Sequence, residues 1–229
     1  MALLTVQNLS VGYEGKPVAS GISFSVSSGD YLTIVGENGS GKTTLMKTVL
    51  GLLPPVSGKV ELGDGLRKNR IGYVPQQTAG QKGFPASVLE VVLSGCLGKS
   101  GLFYSKKEKD LATKQMRRME ILPLQNRAYR ELSGGQQKRA LLARALCAAD
   151  SMLLLDEPAA GLDPVVTQEM YEVIQSLNRE GVAIVMISHD IQAALIYSKT
   201  ILHLAEKPLY YGDVFGYKRE YFLEGEQHA

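Results

Sequence analysis

Nine residues in a row, Gly36-Glu37-Asn38-Gly39-Ser40-Gly41-Lys42-Thr43-Thr44, have the types and spacing to hold a phosphate chain. Glycines let the backbone wrap an anion without Cβ clashes, and the loop amides then face it. Lys42 has the reach to meet the β- and γ-phosphates, and the Thr43 hydroxyl suits a Mg²⁺ ligand. The context fits as well. The apolar run Tyr31-Leu32-Thr33-Ile34-Val35 precedes the loop and a helix-forming stretch at 45–50 follows it, so the loop lies between a strand and a helix N-terminus.

Further along, Asp156-Glu157 ends the apolar run Met152-Leu153-Leu154-Leu155. An acidic pair is costly at the end of a buried strand unless it does chemistry. Asp156 is placed to hold Mg²⁺ directly or through water, and Glu157 to polarise an attacking water as general base. His189 follows another buried run, 182–187. There its imidazole can bond a γ-phosphate or orient the water. Gln76 follows the short strand pattern 71–74 and can offer a carbonyl to Mg²⁺ or water, with Gln77 as a competing assignment. Leu132-Ser133-Gly134-Gly135-Gln136-Gln137 is a Ser–Gly–Gly loop opening a helix to about residue 149, a second helix terminus suited to an anion. One nucleotide does not obviously reach both loops within a single fold. Two copies related by a twofold axis, each offering this loop to the other's nucleotide, close both sites at once.

The elements that must position these residues alternate in kind. Strict apolar–polar alternation in Ile22-Ser23-Phe24-Ser25-Val26-Ser27 predicts a half-buried strand. The runs at 31–35, 152–156 and 182–187 predict strands buried on both faces of a mainly parallel sheet. Ser87-Val88-Leu89-Glu90 and Ser105-Lys106-Lys107-Glu108 are capping boxes. The first predicts an apolar helix over 88–97. The second opens a helix with Leu111, Gln115 and Met119 on one face, so 102–124 reads as a helical insert. Lys106, Lys107, Lys109, Lys114, Arg117 and Arg118 make that insert basic: either a solvated face or an anionic-lipid contact. Asp163 caps a helix with Pro164 at its first position, Val166, Met170, Val173 and Leu177 as its stripe, and Gly181 at its end.

Composition bounds the rest. The chain has 229 residues, 45% of them hydrophobic, and a net charge of +2, which gives no strong field for nucleic acid. No run of about 18 apolar residues is present to span a membrane, and Met1-Ala2-Leu3-Leu4 lacks the basic and apolar regions of a signal peptide. Cys96 and Cys147 have no metal-ligand spacing and lie in apolar patterns, as buried thiols do; the cytoplasm is the expected compartment.

In order and spacing, 36–44 (Walker A), Gln76 (Q-loop), 132–136 (signature), 153–157 (Walker B), 160–163 (D-loop) and His189 (switch histidine) resemble the ATP-binding cassette (ABC) family over nearly the whole chain. The resemblance implies a single ABC ATPase domain over 1–229. Its fold class is α/β: a P-loop NTPase with a RecA-like parallel sheet core, an N-terminal antiparallel β-subdomain and a helical insert at about 83–145. It also implies a homodimer with two ATP at the interface, and Mg²⁺ held by Thr43, Gln76 and Asp156. Residues 36–44 bind the nucleotide, and Tyr13 stacks on adenine. Ser133, Gly134, Gly135 and Gln136 face the partner's nucleotide, with Ser133 and Gly135 contacting its γ-phosphate. Lys42, Gln76, Glu157 and His189 serve catalysis.

Lone subunits of this size resemble importer motors, docked on integral membrane permeases at the cytoplasmic face and served by an extracytoplasmic substrate-binding protein. Val88-Leu89-Glu90-Val91-Val92-Leu93, Glu157-Pro158-Ala159-Ala160-Gly161-Leu162-Asp163 and His189-Asp190-Ile191 resemble the ATPases of zinc and manganese importers. Gly83-Phe84-Pro85 lies in the expected docking region. The alternatives are an iron-siderophore importer or a soluble, non-transport ABC ATPase, which usually carries two cassettes or a long coiled coil. A P-loop kinase leaves 133–137 unexplained. Ala160-Gly161 departs from the common Ser-Ala of the D-loop. The chain stops soon after Gly225, leaving no room for the added regulatory domain of sugar-importer ATPases. His203 and His228 read as isolated, either structural or disordered.

Overall fold

A computed structural model describes residues 2–63, 65–67, 70–76, 85–96, 103–149 and 151–223. Gln77, Gly83, Phe84, Leu97, Leu102, Gly225 and His228, named above, lie outside them. The chain divides into two compact units, one of residues 1–68 and 178–229, the other of 69–177.

The first unit holds a three-stranded antiparallel sheet, in the order β2-β1-β4, made of β1 (Ala2–Tyr13), β2 (Lys16–Ser27) and β4 (Ser57–Leu62). In β2 the alternation is realised: Ile22, Phe24 and Val26 are buried and the intervening residues are more exposed. Beside it run β3 (Tyr31–Val35), β7 (Ala183–Ile187), β8 (Thr200–Leu204) and β9 (Pro208–Asp213). Here β3 is parallel to both β7 and β8, and β9 closes the edge antiparallel to β8. All five residues of β3 and of β7 are buried, as continuous apolar runs require when both faces are covered. One amide ties the strand starts together: Asn178 Nδ2 lies within 3.1 Å of the carbonyls of Gly29, Asp30 and Val182. Helix α1 (Lys42–Val49) leaves β3 through the glycine loop and begins at Lys42, three residues earlier than the sequence pattern suggests. Helices α6 (Ile191–Tyr197) and α7 (Val214–Lys218) complete the unit.

The second unit is largely helical around the parallel pair β5 (Gly72–Val74) and β6 (Met152–Asp156). Both capping boxes form. Ser87 caps α2 (Val88–Leu93) and Ser105 caps α3 (Lys106–Arg118), each with its glutamate returning a bond to the cap amide. Both elements are shorter than the apolar patterns. After Leu93 the chain tightens into a 3₁₀ turn, Ser94–Cys96. After Arg118 the left-handed Glu120 (φ +59°) breaks the insert before a 3₁₀ turn at Leu122–Leu124. Helix α4 (Gly134–Ala148) packs on α2 and α3. Helix α5 (Pro164–Arg179) is capped by Asp163 Oδ1, which accepts from Val166 N–H at 3.1 Å. Its buried face is Met170, Tyr171, Ile174 and Leu177, so the stripe centres on Ile174 rather than Val173. Cys96 and Cys147 are buried thiols. Among the described residues, no helix is long and apolar enough to cross a membrane.

Candidate nucleotide site

In the first unit, β3 delivers the chain into the loop 36–41 with three of its glycines at positive φ: Gly36 (+146°), Gly39 (+83°) and Gly41 (+92°). Gly41 is the left-handed N-cap of α1 and supplies no side-chain cap, which leaves the first helical amides to an incoming acceptor. Lys42 is buried and folds back over the loop, its Nζ donating to the carbonyls of Gly36 at 2.8 Å and Glu37 at 2.6 Å. Ser40 Oγ is buried with no hydrogen-bond partner among the described residues. An uncapped helix start, an orphaned hydroxyl and a lysine braced on the loop form a cradle whose unmet donors fit a phosphate chain. The cradle has no room for a side chain at Gly36, where an added Cβ would lie 2.1 Å from Leu204 O. The expected result for Gly36→Ala is a loss of about 3 kcal/mol in denaturant unfolding, from backbone strain plus overpacking.

Three further groups of this unit bear on the loop. Tyr13 ends β1 with its ring half exposed, and its hydroxyl accepts from Thr44 Oγ1 at 3.4 Å. An exposed aromatic face beside the loop is what stacking on a base requires. His189 is exposed just past the C-terminal end of β7, the strand paired with β3. Ser188 N–H, bonded to Ile34 O at 3.2 Å, fixes that end, and Asp190 caps α6 directly after it. His203 is held by structural contacts within this unit. It pairs in register with Val35 of β3, bonds Tyr217 Oη through Nδ1 at 3.1 Å and packs against the rings of Tyr217 and Tyr221. Burial holds its pKa below the usual value, opposed by Glu37 and reinforced by Lys42, so its charge is coupled to the glycine loop. Sequence spacing could not have found this group, because the strand pairing that places it is long-range.

The second unit gathers the other candidates. Asp156 ends β6 fully buried, and Glu157 follows with φ +51°, a left-handed backbone rare for a residue with a side chain. Gln76, just past β5, donates from Nε2 to Glu157 Oε2 at 2.8 Å, which leaves its own carbonyl oxygen for a metal or water. Tyr73 on β5 has its pKa pushed up to about 12, by burial and then by the Asp156 charge. Ser133 is the N-cap of α4: Gln136 N–H donates to Ser133 Oγ at 3.3 Å, and Ser133 N–H donates to Gln136 Oε1 at 3.1 Å. Because Ser133 Oγ accepts in that box, its own proton stays available to donate outward to an anion. Gly134 is exposed beside it. Gly135 packs on α5, where an added Cβ would meet Val166 Cγ1 at 2.5 Å. Within this unit the carbonyl of Gln76 and the carboxylate of Asp156 are hard oxygen donors, of the kind that suits Mg²⁺. One residue the sequence did not point to is Lys138, whose Nζ donates to Glu157 O at 3.4 Å.

Comparison with known proteins agrees with this chemistry. The ABC transporter family model matches residues 19–160. The chain is 37% identical to the manganese transport system ATP-binding protein MntB of Bacillus subtilis over 90% of this chain and 85% of that one. It is 33% identical to the zinc uptake system ATP-binding protein ZurA of Listeria monocytogenes over 94% and 88%. Among solved structures, a chain of an inward-facing ABC transporter described as metal-chelate type matches with a TM-score of 0.84 at 27% identity, covering 94% of this chain and 85% of that one. With the glycine loop, the acidic strand end and the Ser–Gly–Gly helix start folded as described, this chain belongs to the ABC transporter family as one of its nucleotide-binding ATPase subunits.

Proposed function

We propose that this chain is the ATP-hydrolysing motor of a membrane importer for divalent metal ions of the manganese or zinc kind. The observation that carries the reading is the likeness, over at least nine-tenths of the chain, to ATP-binding proteins of one manganese and one zinc system. Residues 88–93, 157–163 and 189–191 support it by resembling the same group. A metal-chelate importer is the second reading, supported by the structural neighbour of that type at 27% identity.

On this reading residues 1–229 act as one ABC ATPase domain with its helical insert at about 83–145. Two copies pair, and each presents Ser133, Gly134, Gly135 and Gln136 to the nucleotide of the other. Tyr13 stacks on adenine, residues 36–44 wrap the phosphates and Lys42 offsets their charge. Thr43, Gln76 and Asp156 hold Mg²⁺, which when bound neutralises charge developing on the phosphoryl oxygens. Glu157 takes the proton of the attacking water and His189 completes the site. Ser133 and Gly135 engage the partner's γ-phosphate, so binding closes the pair and hydrolysis removes the bridge that holds it. The subunit works at the cytoplasmic face, peripherally, on permease subunits that receive metal from an extracytoplasmic binding protein.

The test is affinity capture of the tagged chain from its native membranes, with mass spectrometry of what comes with it. A multi-span permease together with a metal-binding extracytoplasmic protein is the expected result. Recovery with ribosomal proteins or nucleic acid, and no permease, overturns the transport reading and leaves the ATPase chemistry standing.

A further inference from the structure

Helix α4 carries a buried cation that the roles above do not use. Lys138 lies a turn and a half past the N-cap Ser133 and is only 3% exposed. Lysine is almost never buried to this degree unless its ammonium is paired. Its Nζ donates to the main-chain oxygen of Glu157, and at 3.4 Å the bond has room to shorten. The residue it reaches has an unusual backbone. Glu157 sits at φ +51° with a full side chain, and such conformations persist only where the surroundings over-determine them. Here they do so from two sides: Gln76 holds the carboxylate at 2.8 Å and Lys138 holds the carbonyl.

We propose that Lys138 is a positioning residue for Glu157, linking the Ser133 end of α4 to the orientation of the general base. The inference rests on the hydrolytic role given above to Glu157. Helix α4 is a rigid fifteen-residue rod, so a displacement of its N-terminus when Ser133 takes up a phosphate moves Lys138 with it. Through Lys138 the displacement reaches the carbonyl of Glu157 and, across one residue, its carboxylate. An anion at the helix terminus is thereby sensed at the base without any contact between them. Misplacing a general base by about 1 Å is enough to cost roughly a hundredfold in rate.

The experiment is steady-state ATP hydrolysis with Mg²⁺ by the full-length subunit, with Lys138→Met, Lys138→Arg, Glu157→Gln and the double variant. Lys138→Met keeps the stem and removes the charge. Its kcat is expected to fall by about tenfold or more, with KM for ATP within about twofold. Lys138→Arg recovers part of the rate, since a guanidinium can still donate to the carbonyl. In the Glu157→Gln background the methionine adds no further loss, because both changes act through the same base. A wild-type kcat in Lys138→Met overturns the proposal, and so does an equal loss on top of Glu157→Gln. If Lys138→Met does not fold by circular dichroism, Lys138→Gln is used, and a wild-type kcat there is equally fatal. Near-normal turnover in Glu157→Gln alone sinks the underlying assignment instead. An inactive Glu157→Gln beside an unimpaired Lys138→Met sinks only the role of the lysine.

Discussion

Glu157→Gln is expected to bind ATP with near-normal affinity and to turn it over about 10²–10⁴ times more slowly, the range a positioned general base supplies. In barrier terms that is about 3–5 kcal/mol. The substitution is matched to the geometry. The amide oxygen can still accept from Gln76 Nε2, which lies 2.8 Å from the carboxylate now present. The main-chain oxygen that meets Lys138 is unchanged, and so is the demand for φ +51°. What disappears is the capacity to take a proton. Binding and chemistry therefore separate, and the ATP-bound pair should accumulate because nothing removes the γ-phosphate that bridges it. Two measurements check this: nucleotide affinity by equilibrium titration, and mass in ATP and Mg²⁺ by light scattering. Turnover within a few-fold of wild type removes Glu157 as the base. A monomer in saturating ATP, with turnover abolished, instead removes the two-copy arrangement.

The result separates a chemical from a mechanical reading of the second unit. Gln76, Glu157 and Lys138 form a chain of contacts from β5 through the strand end of β6 to α4. If the chain only stabilised the fold, Glu157→Gln would leave turnover intact and shift the melting curve. If it presents a base, turnover collapses and the melting curve stays where it is.

How far these arguments were legible in the sequence depends on how local each signal is. The strand, loop and helix around residues 31–49 could be read because phosphate chemistry fixes residue type and offset together. Ser87, Ser105 and Asp163 announced their helices because a cap is settled within four residues. Two of the helix ends were less legible. Leu93 and Arg118 end theirs before the apolar pattern does, through a 3₁₀ turn and the left-handed Glu120. The twelve-residue β1 hid its period because register shifts and a left-handed Asn8 break the alternation. Partners distant in sequence were not legible at all. His203 lies beside Val35, the residue that leads into the glycine loop, only because β8 pairs with β3, and it meets Tyr217 only because α7 folds back on that strand. Lys138 carries no local signal, since a sequence does not state that a lysine will be buried.

Lys42→Ala is expected to weaken ATP binding by about two orders of magnitude, roughly 3 kcal/mol, the scale of losing one or two charge-assisted hydrogen bonds to phosphate. The alanine acts twice. It removes the cation, and it releases the carbonyls of Gly36 and Glu37 that Nζ now holds at 2.8 Å and 2.6 Å. The second effect loosens the cradle even without nucleotide, so affinity alone does not separate them. Thermal unfolding does. At an ATP concentration of about 100 Kd, the wild-type chain gains about 2.7 kcal/mol from ligand, whereas a variant bound a hundredfold more weakly gains about 0.4 kcal/mol at the same concentration. The nucleotide-dependent rise in melting temperature should therefore nearly vanish in Lys42→Ala, whatever happens to the nucleotide-free baseline. Lys42→Arg keeps the charge in a bulkier head within a buried position, and should recover the baseline poorly and the rise in part. A full nucleotide-dependent rise in Lys42→Ala would mean that the loop amides and the orphaned Ser40 hydroxyl hold the phosphates unaided. The lysine would then be a brace for the loop and not a ligand for the nucleotide.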